Sequence, residues 1–209
     1  MLKIDLQLFG GRGAASGSSG GKGARRRQTE HPDPWNPPPS LEKQLSKENG
    51  VDEMTAYRQV HAVADYSMTD YSDIRRAQYE NDVDSDAYKK AEAIERFIEQ
   101  SPVWDGGELY RGVALPQSSI AHLKVGGRID MKGMSSWSSD EKIAKSFADK
   151  SYDSPVVFRS KGTKKGTSIT HLSEFGKTES EVLVSGKATW TIKKISKVGK
   201  ITYVDVDED

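Results

Sequence analysis

Helical spacing in the first half of the chain gives way to strand-like spacing in the second half, and this order limits the possible folds. Apolar residues recur every three or four positions between Leu41 and residue 100, as in helices that pack through one face. After Trp104, short runs rich in Val, Ile, Tyr and Thr are separated by Gly, Lys and Ser, which is typical of strands. Helices followed by strands predict an α+β domain and not alternating βαβ units.

Local signals predict the bounds of several elements. A helix is expected between Ser85, which is suited to capping, and Pro102, which disfavours helix in the residue before it. Another helix, at residues 140–150, interrupts the strands. The strands are predicted at residues 108–115, 154–160, 167–172, 180–186, 188–195 and 200–206. We expect the helices before Pro102 to pack on one side of a sheet.

The first 40 residues differ in composition from the rest of the 209-residue chain. They are rich in Gly, Ser and Pro, and they contain Arg12 and a cluster of three arginines at 25–27. Such a segment buries too little apolar surface to offset the entropy that a chain loses on folding. We therefore expect a flexible tail at residues 1–40 and one folded domain at residues 41–209.

Composition argues against several classes of function. The 31 Lys and Arg balance the 31 Asp and Glu, so there is no clear nucleic-acid site. The absence of Cys excludes a thiolate nucleophile, and the four His have no metal-ligand spacing, so no metal is expected. No apolar run approaches the roughly 20 residues of a membrane span, and the first residues lack the pattern of a secretory signal. We expect no membrane partner.

Three short pieces of the strand-rich half carry polar groups suited to chemistry. The first is Arg111-Gly112, where a guanidinium suits a phosphate and glycine leaves room for close backbone approach. Taken alone, it also fits an ordinary strand arginine in a salt bridge. The second runs from Gly133 to Ser139 and leads into the helix at 140–150. Taken alone, it is a serine-rich turn that caps a helix.

The third piece contains two carboxylates, Glu179 and Glu181. Because side chains alternate along a strand, the two are expected to point to the same exposed face, where they repel each other unless something uses them. A solvated strand edge is the alternative interpretation, since one-sided antiparallel sheets commonly carry alternating charges.

Taken in this order, the three pieces resemble the arginine, serine and glutamate signature of the clostridial-toxin-like mono-ADP-ribosyltransferases. The resemblance covers about residues 55–206 and extends to the spacing between the pieces. Residues 64–74, which contain two tyrosines, are similar to the Tyr-rich stretch that precedes the catalytic core in this family.

The serine motif is aligned by counting back from the Phe-Ala pair at 147–148. This places the family's Ser-Thr-Ser on Ser136, Trp137 and Ser138. Trp137 departs from the usual threonine, so Ser135 and Ser138 stay open as alternatives to Ser136 for the serine contact.

The resemblance implies a fold and an activity. The fold is a set of N-terminal helices packed on a two-sheet mixed β core. The activity is transfer of ADP-ribose from NAD to arginine side chains of a protein target, with release of nicotinamide and without a metal. The implied catalytic residues are Arg111, Ser136, Glu179 and Glu181.

The resemblance also implies how NAD is held. The expected binding residues are Arg111, Gly112, Ser136, Ser138, Arg159 and Glu181. Glu181 would stabilise the positive charge that develops on the ribose as the glycosidic bond breaks. Glu179 would face the acceptor, because a glutamate at this position goes with arginine targets in the family.

Two loops flank these residues. Phe175 lies in the loop that the family uses to choose its protein substrate, and a local hydrophobic plug is the alternative role. Lys164 and Lys165 occupy the place of the family's phosphate and nicotinamide loop, or they form a solvated turn.

Two other functions remain open at the level of sequence. One is a phage virion protein with an inactive domain, because the opening MLKIDLQLFGGRG resembles the start of structural proteins of phages that infect Gram-positive bacteria. The other is an NAD glycohydrolase, in which water is the acceptor.

The expected location is the virion or the cytoplasm of the host bacterium, where a host protein would be the target. The tail arginines are a further possible target, through self-modification.

Overall fold

The computed structural model describes residues 2–3, 39–149, 154–173 and 176–209. Phe175 and the arginines of the predicted tail lie outside the described residues, so the expectations for them stay predictions. Within the described residues, no helix is both long enough and apolar enough to cross a membrane.

The helical half contains four α-helices and one π-helix among the described residues. They are α1 (Pro39–Asn49), α2 (Glu53–Asp65), the π-helix (Tyr66–Asp70), α3 (Tyr71–Glu80) and α4 (Asp86–Gln100). Asp52 caps α2 by accepting a hydrogen bond from the Thr55 amide, and Ser85 caps α4 in the same way. The predicted start of α4 at Ser85 is therefore confirmed.

The strand-rich half adds short elements that the sequence did not predict. The elements are β2 (Leu109–Leu115), α5 (Gln117–Ala121), β3 (Arg128–Asp130), β4 (Ser135–Ser138), α6 (Glu141–Ala148), β5 (Ser154–Ser160), β6 (Gly166–Ser168), α7 (Gly176–Glu179), β7 (Glu181–Val184), β8 (Thr189–Val198) and β9 (Ile201–Glu208). The predicted serine-rich turn is the strand β4. The predicted strand at 167–172 is wrong beyond Ser168, because the Leu172 amide bonds the Ile169 carbonyl and closes a turn.

The described strands join into one mixed sheet, in the order β1-β3-β8-β9-β5-β2-β4-β7-β6, where β1 is Leu2–Lys3. β2 and β4 share a single residue pair, Tyr110 with Ser138. This narrow junction divides the sheet into a larger group that ends at β2 and a smaller group of β4, β7 and β6. The β core, expected as two sheets, is thus one continuous mixed sheet made of two groups, with the helices packed against it.

The faces of the sheet contribute to three separate apolar clusters. The inner faces of the two groups share one core, in which the rings of Trp137 and Trp190 lie 4.8 Å apart. The outer face of the smaller group, including Leu183, packs on α1 to α4. The outer face of the larger group packs on α6. An α+β domain with helices against the sheet is therefore confirmed, and it places β4 and β7 between the main core and the helices.

Candidate active site

Arg111 lies on β2 and is almost completely buried, with 1% of its surface exposed. Its Nη1 donates to the backbone oxygen of Ser136 over 2.5 Å, so β2 is tied to β4 just beyond their single residue pair. Burial, together with the charge of the neighbouring Arg75, lowers the pKa of Arg111 to about 9, while Tyr66 and Glu181 act in the opposite direction. The guanidinium is still charged at neutral pH and supplies a fixed positive charge inside the site.

The serines of β4 have separate roles because successive side chains point to opposite faces. Ser135 faces the main core, where its Oγ accepts a hydrogen bond from the indole of Trp137. Ser136 faces the helices, and its hydroxyl hydrogen-bonds the carboxyl of Glu181. Ser138 also faces away from the main core, and its Oγ donates to the backbone oxygen of Glu179 over 2.6 Å. The geometry therefore brings Ser136 to the glutamate side chain.

The tryptophan in the middle of the serine motif has a structural explanation. Trp137 is fully buried in the main core and packs on Trp190. Because this position points away from Ser136 and Glu181, a large apolar side chain here does not disturb them. The departure from threonine therefore leaves the alignment of Ser136 intact.

Glu181 is the first residue of β7 and is only 5% exposed. The expectation that it lies on an exposed strand face is wrong, because the helices cover that face of β7. The pKa of Glu181 is raised to about 7, mainly by burial and also by the charge of Glu179, although hydrogen bonds from Ser136 and Ser173 and the charge of Arg111 act in the opposite direction. The carboxyl therefore changes its protonation state near neutral pH.

Glu179 reaches the site by a different route from the one predicted. It is the last residue of the short helix α7, and Ser180 follows it with φ of 46° before β7 begins. The two glutamates are therefore not related by the alternation of a strand, since Glu179 belongs to α7 and the left-handed Ser180 separates it from β7. Glu179 is partly exposed, and its charge raises the pKa of Glu181. The two carboxyls are therefore near each other, but only that of Glu181 is buried.

Tyr66 belongs to the same group of side chains, and the sequence did not single it out. It is buried at the start of the π-helix, and its hydroxyl hydrogen-bonds Ser136. The signal was present only as the Tyr-rich stretch at 64–74. Sequence spacing does not reveal a contact between a helix and a strand 70 residues later.

Gly112 and Arg159 do not join this group. A Cβ on Gly112 would lie 1.6 Å from the backbone oxygen of Ala144, so the absence of a side chain allows α6 to pack on β2. The close backbone approach that the sequence predicted at Gly112 is therefore an approach to α6. Arg159 pairs with Tyr110 across the sheet and points to the α6 side, where it forms an ion pair with Asp205 over 2.7 Å. This is the face opposite to that of Arg111, whose neighbours on β2 fill the main core.

The lysine turn after β5 is also held by local contacts. The amide of Lys164 bonds the carboxylate of Glu208 over 2.6 Å, and the ammonium of Lys165 bonds the backbone oxygen of Lys187. These contacts support the interpretation of a turn fixed to the end of the sheet.

A cavity of about 460 Å³ lies beside α3. Two tyrosines, Tyr71 and Tyr79, form part of its wall. Three cationic side chains line it against two acidic ones; they are Arg75, Arg76, Lys132, Asp73 and Glu80. Arg111, Ser136 and Glu181 do not line this cavity, although the charge of Arg75 acts on Arg111. Among the described residues, no group of three or more acidic or histidine side chains is arranged to hold a metal ion.

No protein-family model matches the chain, and no curated protein sequence matches it either. Several solved structures, in contrast, are similar to this chain. The ADP-ribosyltransferase Vis of Vibrio splendidus, in complex with agmatine, has a TM-score of 0.63 and 21% identity, over 82% of this chain and 84% of Vis. Exoenzyme S of Pseudomonas aeruginosa, in complex with human 14-3-3 protein beta and carba-NAD, has a TM-score of 0.61 and 17% identity, over 80% of each chain.

The C3 exoenzyme of Clostridium limosum is similar as well, with a TM-score of 0.59 and 15% identity over 81% of this chain and 92% of its own. These identities are too low to carry an activity from one protein to another, but the likeness covers most of both chains each time. The chain has the fold of the ADP-ribosyltransferases.

Proposed function

We propose that this protein transfers ADP-ribose from NAD to arginine side chains of a protein target and releases nicotinamide, as a member of the arginine, serine and glutamate class. The observation that carries the proposal is the meeting of Arg111, Ser136 and Glu181 in one buried cluster, with Glu179 partly exposed beside it. The three strands that supply the cluster belong to an ADP-ribosyltransferase fold.

The charges near the cluster fit the substrate NAD, whose pyrophosphate is anionic. Arg111 provides a guanidinium that stays charged at neutral pH, and the charge of Arg75 also acts at this point of the site.

Glu181 is suited to stabilise the transition state. When the bond between the ribose and nicotinamide breaks, positive charge develops on the sugar, and an ionised carboxylate beside it lowers the energy of that state. Because Glu181 is buried, its field is weakly screened by water. Ser136 orients the carboxyl through its hydrogen bond. The carboxylate must be ionised for this role, which ties the activity to a pKa of about 7.

Glu179 is suited to receive the acceptor. In the proposed step, a guanidino nitrogen forms a bond with the sugar carbon as nicotinamide leaves with the bonding electrons, and the proton of that nitrogen passes to Glu179. The carboxylate is partly exposed, as contact with another protein requires, and it can pair with a guanidinium before the step. The complex of the structurally similar Vis with agmatine, a small guanidine, supports this choice of acceptor.

Incubation with NAD, with and without agmatine, tests the proposal. The expected result is release of nicotinamide together with ADP-ribosylated agmatine. Nicotinamide release without an adduct would instead indicate a glycohydrolase, and no release at all would indicate an inactive structural protein. Glu181→Gln serves as the matched control, since it keeps the size of the side chain and removes the negative charge. Tagging the modified proteins of a bacterial lysate with a labelled NAD would then identify the target.

A further inference from the structure

The π-helix at Tyr66–Asp70 interrupts an otherwise continuous helical run between α2 and α3. A π-helical turn holds an extra residue and has poorer geometry than an α-helix, so it persists only where other contacts support it, and such turns often occur at functional sites. In this protein the turn begins with Tyr66, whose side chain enters the candidate active site.

Lys90 on α4 supports this turn from both ends. Its ammonium lies 2.6 Å from the carboxylate of Asp65, the residue before the turn, and 2.7 Å from that of Asp70, the last residue of the turn. The Asp65 side chain is only 13% exposed and that of Lys90 34%. A partly buried bridge of this kind is more strongly held than an exposed pair, such as Lys89 with Asp86 one position earlier on α4.

The contacts of Tyr66 determine the direction of the hydrogen bonds in the site. Serine carries a single hydroxyl proton, so if Ser136 donates to Glu181, it can only accept from Tyr66. Tyr66 is able to donate, because burial raises its pKa and keeps the phenol protonated. Its other neighbour, the backbone oxygen of Met134, lies 3.4 Å away and is a weak competitor.

We propose that Lys90 is a positioning residue: by tying Asp65 to Asp70 it fixes the π-helix, so that Tyr66 directs the hydroxyl proton of Ser136 onto the carboxyl of Glu181. Lys90 touches none of the proposed reacting groups. Its effect reaches the site through the backbone of the turn and then through two hydrogen bonds. The proposal rests on the proposed function only for its consequence in catalysis.

The pKa of Glu181 reports on this arrangement. Among the described residues, the charged and titratable groups that act on it are Arg111 on β2, Glu179 in α7 and Tyr66 in the π-helix. Loss of a directed hydrogen bond destabilises the ionised carboxyl, so the pKa must rise. The full-length protein, with ¹³C-labelled glutamate carboxyls, is titrated by NMR, and the Glu181 signal is assigned from Glu181→Gln.

Lys90→Met removes both ion pairs and keeps most of the apolar stem. We expect it to raise the pKa of Glu181 by about half a unit, of the size that one hydrogen bond contributes. Lys89→Met is the matched control, because it removes the same charge from the neighbouring position on α4, and it should leave the pKa unchanged. If Lys90→Met does not fold, Asp70→Asn removes one of the two ion pairs and should give a smaller rise.

A double variant separates positioning from a direct effect of charge. Tyr66→Phe alone should raise the pKa of Glu181, and Lys90→Met should add nothing further in that background, because its effect passes through the phenol. An unchanged pKa in Lys90→Met, or the same rise with and without the Tyr66 hydroxyl, would overturn the proposal.

The NAD reaction gives an independent reading. If the proposed function is correct, the rising limb of the pH profile of nicotinamide release should move upward by the same amount in Lys90→Met, with KM for NAD little changed. Should the titrations behave as expected in a protein that does not cleave NAD, the proposed function fails and the positioning role stands. Should NAD be cleaved while the Glu181 pKa is unmoved, the positioning role fails alone.

Discussion

The carboxyl of Glu181 makes the stability of the protein depend on pH. Its pKa is raised from 4.5 to about 7 in the folded state, so the folded protein holds this proton more tightly than the unfolded chain does. The stabilisation that proton uptake gives is fully present below pH of about 4.5 and is lost as the pH rises towards about 7. An ionised carboxylate inside the fold is thus retained at the expense of stability, as is common at sites selected for chemistry.

Glu181→Gln should therefore stabilise the protein at high pH and abolish nicotinamide release. The amide has the same size and carries no charge, so the wild type should lose on the order of 2 kcal/mol of unfolding free energy relative to the variant between pH 5 and pH 8. Urea denaturation at the two pH values measures this. The exposed Glu92→Gln on α4 is the control and should follow the wild type. Parallel curves for Glu181→Gln and wild type would show that the carboxyl is not buried in solution.

Glu179→Gln should separate transfer from hydrolysis. The amide can hydrogen-bond a guanidinium but cannot accept its proton, so agmatine modification should fall by at least about tenfold, as for the loss of a general base. Nicotinamide release in the absence of agmatine should stay substantial, because Glu181 remains. Release of nicotinamide and formation of the agmatine adduct are measured in the same sample. An equal loss of both would assign Glu179 to the NAD site.

At the scale of elements, long periodic segments were predictable and short ones were not. The spacing of apolar residues predicted α4 and α6, and β-branched residues predicted β2, β5 and β9. The predicted bounds of these elements are close to the observed ones. The sequence predicts a turn in place of the strand β4, because Ser135, Ser136 and Ser138 have little strand preference. Its pairing with β7 supplies what the local sequence lacks. The left-handed Ser180 was missed for a similar reason, since no glycine marks it.

The contact of α6 with β2 is a second case in which an element depends on a partner distant in sequence. Gly112 has no side chain at a point where a Cβ would lie 1.6 Å from the Ala144 oxygen and 3.0 Å from the Ala148 nitrogen. Both neighbours are backbone atoms of α6, so they cannot move without the helix. The role of Gly112 in helix packing was not predictable, because the sequence of β2 does not show which helix covers it.

Gly112→Ala should therefore destabilise the protein strongly. A methyl group here forces α6 away from the sheet, at a cost on the order of 3 kcal/mol, as for overpacked sites. Gly162→Ala is the matched control, because its Cβ would come no closer than 3.9 Å to another residue. Urea denaturation should show a large loss for the first variant and little change for the second. Similar stabilities would mean that α6 does not pack on β2 as described.

At the scale of the whole molecule, the order of helical and strand-like segments predicted the fold class. The geometry of the candidate site, in contrast, depends on how the folded chain brings strands and helices together. Arg111, Ser136 and Glu181 come from three strands that are neighbours in the sheet and distant along the chain. Their residue types and order were enough to predict them as site residues. Their burial, and the participation of Tyr66, arise only when the helices cover β4 and β7.

The segment before α1 is joined to the folded part more than its composition suggested. Leu2 and Lys3 pair with Ile129 and Asp130 at the edge of the sheet, and α1 begins at Pro39. Arg12 and the three arginines at 25–27 belong to the same chain, so they are covalently tethered to the domain that begins with α1. Such tethering raises the effective concentration of these side chains at a site on the same molecule.

Self-modification of these arginines is therefore expected when the full-length protein is incubated with NAD. Peptide mapping by mass spectrometry should place ADP-ribose mainly on Arg12, Arg25, Arg26 and Arg27, at a rate per molecule that does not depend on protein concentration, because the reaction is intramolecular. Replacing all four with lysine should remove most of the adduct while agmatine modification continues at the wild-type rate. Deleting residues 1–39 should cost little stability, since the described contacts that it removes are a two-residue pairing at the sheet edge and those of the first residue of α1. Adducts confined to arginines of residues 40–209, or a rate that rises with protein concentration, would rule out modification within one molecule.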